Sequence, residues 1–145
     1  MDSSLVKVGI QTEGHVETLW AEPLGGGRYR LENSPFFAYG VSWLDVVEAT
    51  PDSTGLAMMH RIVEKSGHRT IRVNFDRGAK VDPAAQLVLN GLNALGCTYE
   101  GLSDRYVSID VPAAVALAEV SRYLNDHSVQ WEYADPTYAD VHGSV

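Results

Sequence analysis

Cys97 is the single cysteine of this 145-residue chain, and the histidines are His15, His60, His68, His127 and His142. Together they raise the question of nucleophilic or metal chemistry. A reactive thiolate needs an electropositive, partly exposed setting. Cys97 instead opens a predicted strand directly after a helix, in the most acidic part of the chain, where a small buried hydrophobe is ordinary. Zinc sites draw ligands at short spacings such as His-x3-His, with Cys or carboxylate partners, and no two histidines stand that way. His60 and His68, eight residues apart around a turn, are the one pair a hairpin could bring together. Gly25-Gly26-Gly27 is followed by Arg28-Tyr29-Arg30 rather than the Gly-Lys-Ser/Thr of a phosphate loop, and reads as a hairpin. No Gly-x-Ser-x-Gly elbow occurs. The expectation is no metal, no cofactor and no catalytic residue.

Two other sets of residues could bind rather than react. Residues 60–80 hold the one basic zone, with Arg61, Lys65, Arg69, Arg72, Arg77 and Lys80. Arginine forks match carboxylate and phosphate, so Arg61, His68 and Arg72 are candidate contacts for a small anion, with Phe36, Phe37 and Tyr39 as an apolar wall. The competing reading is that these bases neutralise an acidic second half across an interface. Residues 34–44 carry Phe36, Phe37, Tyr39 and Trp43 in a predicted connection, either as a buried plug or as an exposed patch. In the second case Phe36, Phe37 and Trp43 are partner anchors.

Charge narrows the partners. The net charge is −8, with nine Lys+Arg against eleven Asp+Glu in residues 1–96 and two against eight in residues 97–145. Cationic side chains supply most non-specific affinity for nucleic acid, so that class is disfavoured, whereas a basic protein is attracted and steered. No apolar run approaches the roughly 18 residues of a membrane span. Met1-Asp2-Ser3-Ser4 lacks the basic and apolar regions of a secretory leader. One cysteine allows no internal disulfide. A cytoplasmic location is expected.

The elements that must position these residues fall into two halves, 1–67 and 68–145, meeting near Ser66-Gly67 without a Pro/Ser-rich linker. The first half reads as short strands at 6–10, 18–24, 28–32, 43–49 and 56–64, a small barrel or a bent antiparallel sheet. The second half reads as strand, helix, strand, strand, helix, strand, the order of a ferredoxin-like βαββαβ sandwich. Asp82-Pro83 starts one helix and Gly96 stops it, and Asp110 and Pro112 mark the start of the next. The crossover rule places both helices on one face and orders the strands 4-1-3-2. Glu100, Asp110 and Glu132 then share the outer face, which carries Arg105–Asp110 without the glycine and paired aromatics of an RNA-reading sheet. The tail from residue 138 has little to bury and is expected to be mobile.

Glu17-Thr18-Leu19-Trp20-Ala21, the run 33–40, Asp45-Val46-Val47 and the run 66–72 together resemble the bacterial family catalogued as domain of unknown function 4265, over roughly residues 13–135. The resemblance implies a bacterial cytoplasmic protein of this two-part layout and brings no catalytic residue or cofactor. Two functional expectations follow. The first is a non-enzymatic acidic binding protein, an immunity-type or regulatory partner of a basic protein, using Glu100, Asp110, Glu132, Phe36, Phe37 and Trp43. The second is a sensor or enzyme for a small anion, with a pocket between the halves formed by Arg61, His68, Arg72 and Tyr39. A homodimer is compatible with either.

Overall fold

The computed structural model describes residues 4–143. Met1–Ser3, on which part of the leader reading rests, and the last two residues of the tail lie outside the described residues.

Apolar alternation in the first half produces five strands: β1 (Val6–Gln11), β2 (Val16–Gly25), β3 (Arg28–Leu31), β4 (Val46–Pro51) and β5 (Ala57–Glu64). They close into a barrel in chain order. Neighbours pair antiparallel, but the seam between β1 and β5 is parallel and short, with Val8 opposite Ala57 and Gly9 opposite Met58. The barrel is therefore closed rather than an open bent sheet. Its core is Val8, Ile10, Leu19, Ala21, Leu31, Val41 and Val47. All three residues of Gly25-Gly26-Gly27 take positive φ, which glycine adopts without steric cost.

The second half has strands β6 (Arg69–Asn74), β7 (Thr98–Gly101), β8 (Tyr106–Val111) and β9 (Gln130–Asp135), with helices α1 (Pro83–Leu95), α2 (Leu117–Asp126) and α3 (Tyr138–His142). The sheet order is β7-β8-β6-β9 with every pair antiparallel, which is the strand order expected from the sequence. Ile71, Val73, Val107 and Ile109 form one buried cluster with Val88, Leu89 and Leu92 of α1 and Val120 and Leu124 of α2. Both helices thus cover the same face. Among the described residues no helix is long and apolar enough to cross a membrane.

Local signals set some boundaries and missed others. Asp82 caps α1 by accepting from Ala84 N, Pro83 occupies its first turn, and Gly96 ends it in the left-handed region. By contrast α2 begins at Leu117, not near Pro112. Asp110 lies inside β8, and the N-cap Ala116 makes no side-chain bond that a sequence could announce. β4 starts at Val46 rather than 43, because the chain first turns through Leu44 (φ 68°) and Asp45 accepts from Ser42 N at 2.9 Å. The tail carries α3, held by a reciprocal capping box between Thr137 and Asp140.

Candidate binding site between the two halves

Residues 33–45, which join β3 to β4, cross the second sheet on the face opposite α1 and α2. They form a roof over the expected acidic surface. The roof is fastened from both sides by buried charges. From the barrel, Glu17 accepts the backbone N–H of Phe36 (2.6 Å), Phe37 (3.1 Å) and Ala38 (2.8 Å). From the sheet, Arg72, only 1% exposed, donates to the carbonyls of Pro35 (3.3 Å), Phe37 (3.3 Å) and Ala38 (2.8 Å). Ser108 and Tyr106 add hydroxyl donors to the carbonyls of Pro35 (2.9 Å) and Phe36 (2.7 Å). A peptide segment laid against a sheet face would otherwise leave its polar groups unpaired at a cost of ~1–3 kcal/mol each.

At the centre a polar clasp joins the halves. Lys65 Nζ donates to Asp45 and Asp135 at 2.5 Å each and to Gly40 O at 3.0 Å. Ser42 Oγ donates to Asp135 (2.6 Å) and shares a hydrogen bond with Thr70 Oγ1 at 2.7 Å. Asp45, Ser42 and Thr70 are fully buried.

On one side of the roof the rings face outward. Phe37 is 39% and Tyr39 57% exposed. His15 meets the Phe37 ring edge-on at 4.9 Å, and Tyr106 stacks on it at 5.9 Å. The Arg72 guanidinium lies over the Tyr39 ring at 4.7 Å. Tyr39 OH donates to Glu132 at 2.7 Å, and that hydrogen bond, with partial burial, raises the phenol above its ordinary value. Burial does the same to Tyr106. A hollow of about 450 Å³ opens here, lined by Ile10, Met59, Ala38 and the rings of His15, Phe37 and Tyr39, with Glu13 beside them.

On the other side the acids face inward. Glu100 accepts from Ser34 N at 3.2 Å and Asn33 Nδ2 at 3.4 Å. Asp110 takes His68 Nδ1 at 2.9 Å, and Trp43 packs edge-on against His68 at 4.8 Å. Burial holds the Asp110 carboxyl above its ordinary value, against the opposing pull of His68.

The predicted site residues therefore separate. Phe37, Tyr39, Arg72 and Glu132 come together on the ring side. Trp43, His68, Asp110 and Glu100 come together on the acid side. Phe36 is half-buried, and its backbone is held at both the N–H and the carbonyl. Arg61 stands apart on β5, forked onto Glu48 at 3.0 and 3.2 Å. The three candidate anion contacts have three separate partners, Glu48, Asp110 and the roof carbonyls, and form no common cradle. His60 lies 3.7 Å from Glu48 and His68 beside Asp110, so that pair does not meet. Among the described residues no group of three or more His, Cys, Asp or Glu is placed to hold a metal ion. Burial pushes the Cys97 thiol up to about 11. Glu17, Tyr106 and His15 were missed. One signal was readable, since Glu17 shares its strand face with the buried Leu19 and Ala21.

The family model described as Domain of unknown function (DUF4265) matches residues 17–133. No curated protein matches the chain. Among solved structures, a hypothetical protein from Neisseria gonorrhoeae is similar at a TM-score of 0.74 and 16% identity, covering 95% of this chain and 99% of that one. At that identity the likeness shows the fold alone.

Proposed function

We propose that this chain, which belongs to the family described as Domain of unknown function (DUF4265), is a non-enzymatic acidic binding protein, an immunity-type or regulatory partner of a basic protein in the cytoplasm. The observation that carries the reading is the fixed display of Phe37 and Tyr39. The backbone of residues 35–38 is held by three hydrogen bonds to Glu17 and three from Arg72, and the Tyr39 hydroxyl is tied to Glu132. Yet Phe37 remains 39% and Tyr39 57% exposed. Large aromatics on a rigid support are the anchors that dominate protein interfaces, because little ordering entropy remains to be lost on binding.

Charge selects the partner. The surface is acidic overall, the hollow beside the rings is bordered by Glu13 and not by a free Lys or Arg, and the nearest guanidinium, Arg72, is buried under the roof. That combination favours a basic protein over nucleic acid or a small anion. The strand and helix order of residues 69–135 supports reading the second half as a ferredoxin-like sandwich that carries the roof. Fold by itself assigns no activity.

The test is site-directed photo-crosslinking in the source cells, with p-benzoylphenylalanine in place of Phe37 and, as a control, of Leu87, which is 66% exposed on α1. A discrete product at 37, absent at 87, containing a protein with a basic isoelectric point is the expected result. Repeated in a lysate of those cells, the crosslink should weaken as added salt rises through the range that screens surface charge. Equal labelling at both positions, a product containing only a second copy of this chain, or an acidic partner would overturn the reading.

A further inference from the structure

We infer that the hollow beside Phe37 and Tyr39 receives a single cationic side chain, lysine or arginine, from the partner; this rests on the binding-protein reading above. The hollow sits where the barrel seam ends. β1 and β5 are paired only at Val8–Ala57 and Gly9–Met58, and beyond that point Ile10 and Met59 form walls of one cleft with the roof. Its volume of about 450 Å³ is large enough to admit one side chain from a partner.

The lining is amphipathic in a definite order. Ile10 and Ala38, both buried, give an apolar floor. The rings of Phe37, Tyr39 and His15 give walls, with His15 held by Thr12, whose hydroxyl lies 3.0 Å from His15 Nδ1. The exposed Glu13 gives a negative rim. Lysine and arginine have the matching layout, an aliphatic stem that packs on apolar surface and a charged head that stays near water. Their cations are attracted to aromatic faces and to a carboxylate at the rim. Among the described residues that line the hollow there is no Lys or Arg to receive an anion. A purely apolar side chain would satisfy the floor and walls but leave Glu13 without a role.

The experiment is an NMR titration of the whole chain with N-acetyl-L-arginine methylamide and N-acetyl-L-norleucine methylamide. The arginine probe is expected to shift the amide signals of residues 10–15 and 37–39 and to saturate in the millimolar range, with norleucine at least ten-fold weaker. Glu13→Gln should weaken the arginine probe several-fold and leave norleucine unchanged. Phe37→Ala, checked for an unaltered spectrum elsewhere, should weaken both. Equal binding of the two probes, arginine shifts scattered over the acidic surface without saturation, or no binding would overturn the inference. Should crosslinking at 37 still identify a basic partner in that event, the functional reading stands and only the cationic occupant is lost.

Discussion

The two sides of the roof are built from the same kinds of residue and used in opposite ways. On the acid side Glu100 and Asp110, the expected docking charges, accept hydrogen bonds from Asn33, Ser34 and His68 within the chain. On the ring side Arg72 and Glu17 are the internal fasteners, and aromatic faces are left over. The lesson is that side-chain chemistry does not announce whether a group serves the fold or a partner. Its neighbours decide. A carboxylate on a sheet face is a docking charge only when nothing of the same chain lies on that face.

The sharpest way to break this contrast is to remove a fastener. Arg72→Met removes the donor of the Phe37 and Ala38 carbonyls, Pro35 keeping Ser108, and should cost about 2–5 kcal/mol in urea unfolding, ~1–3 kcal/mol for each buried group left unpaired. A loss under about 1 kcal/mol would show that the roof is not held from the sheet. Glu17→Ala strips three backbone N–H groups of their acceptor. It should cost about 2–3 kcal/mol, with faster hydrogen exchange at residues 36–38 as a local readout.

The acid side has a pH signature of its own. The folded Asp110 carboxyl lies above its ordinary value, so between the unfolded value of about 3.9 and the folded one the native state holds more protons than the unfolded state. Stability must then fall as pH rises through that window. Asp110→Asn should flatten this fall, visible as a smaller change in urea midpoint between pH 4 and pH 6. An unchanged slope would mean that His68 fully compensates the burial of Asp110.

The smallest expected stability effect belongs to the ring side. Phe37→Ala removes a side chain that is 39% exposed and meets the rings of His15 and Tyr106, and should cost about 0.5–1.5 kcal/mol, less than either fastener. A loss above about 1.5 kcal/mol would make Phe37 part of the fold, and the contrast between the two sides would disappear.

Local chemistry made a good part of this fold legible. The Asp82-Pro83 start and Gly96 stop of α1 are written in adjacent residues, and the alternation of Ile71, Val73 and Phe75 gives the buried face of β6. What stayed hidden depends on contacts distant in sequence. Alternation placed Arg72 on the outer face, which is correct, but whether that face meets water is settled by residues 35–38, more than thirty positions earlier. The same gap hid the hydrogen bonds that Glu100 and Asp110 accept from Asn33, Ser34 and His68. The start of α2 was hidden for the opposite reason, since Ala116 offers no cap, while Asp110-Val111-Pro112 imitates one inside and just after a strand. Of the site, Phe37 and Tyr39 were visible as aromatics in a connection. Their exposure, and the burial of the backbone beneath them, required the Glu17 carboxylate on the inner face of β2.

Partner affinity is expected to reside in the rings of Phe37 and Tyr39 and not in the internally bonded Glu100 and Asp110. This division is tested most directly with the protein captured at position 37, by isothermal titration of three forms of this chain: unaltered, Phe37→Ala with Tyr39→Ala, and Glu100→Gln with Asp110→Asn. The ring variant should lose at least ~30-fold in affinity, the ~2 kcal/mol of an interface hot spot, and the acid variant should change by less than ~3-fold. The reverse order, with the acid variant losing affinity and the ring variant keeping it, would place the binding surface on the Glu100–Asp110 side instead.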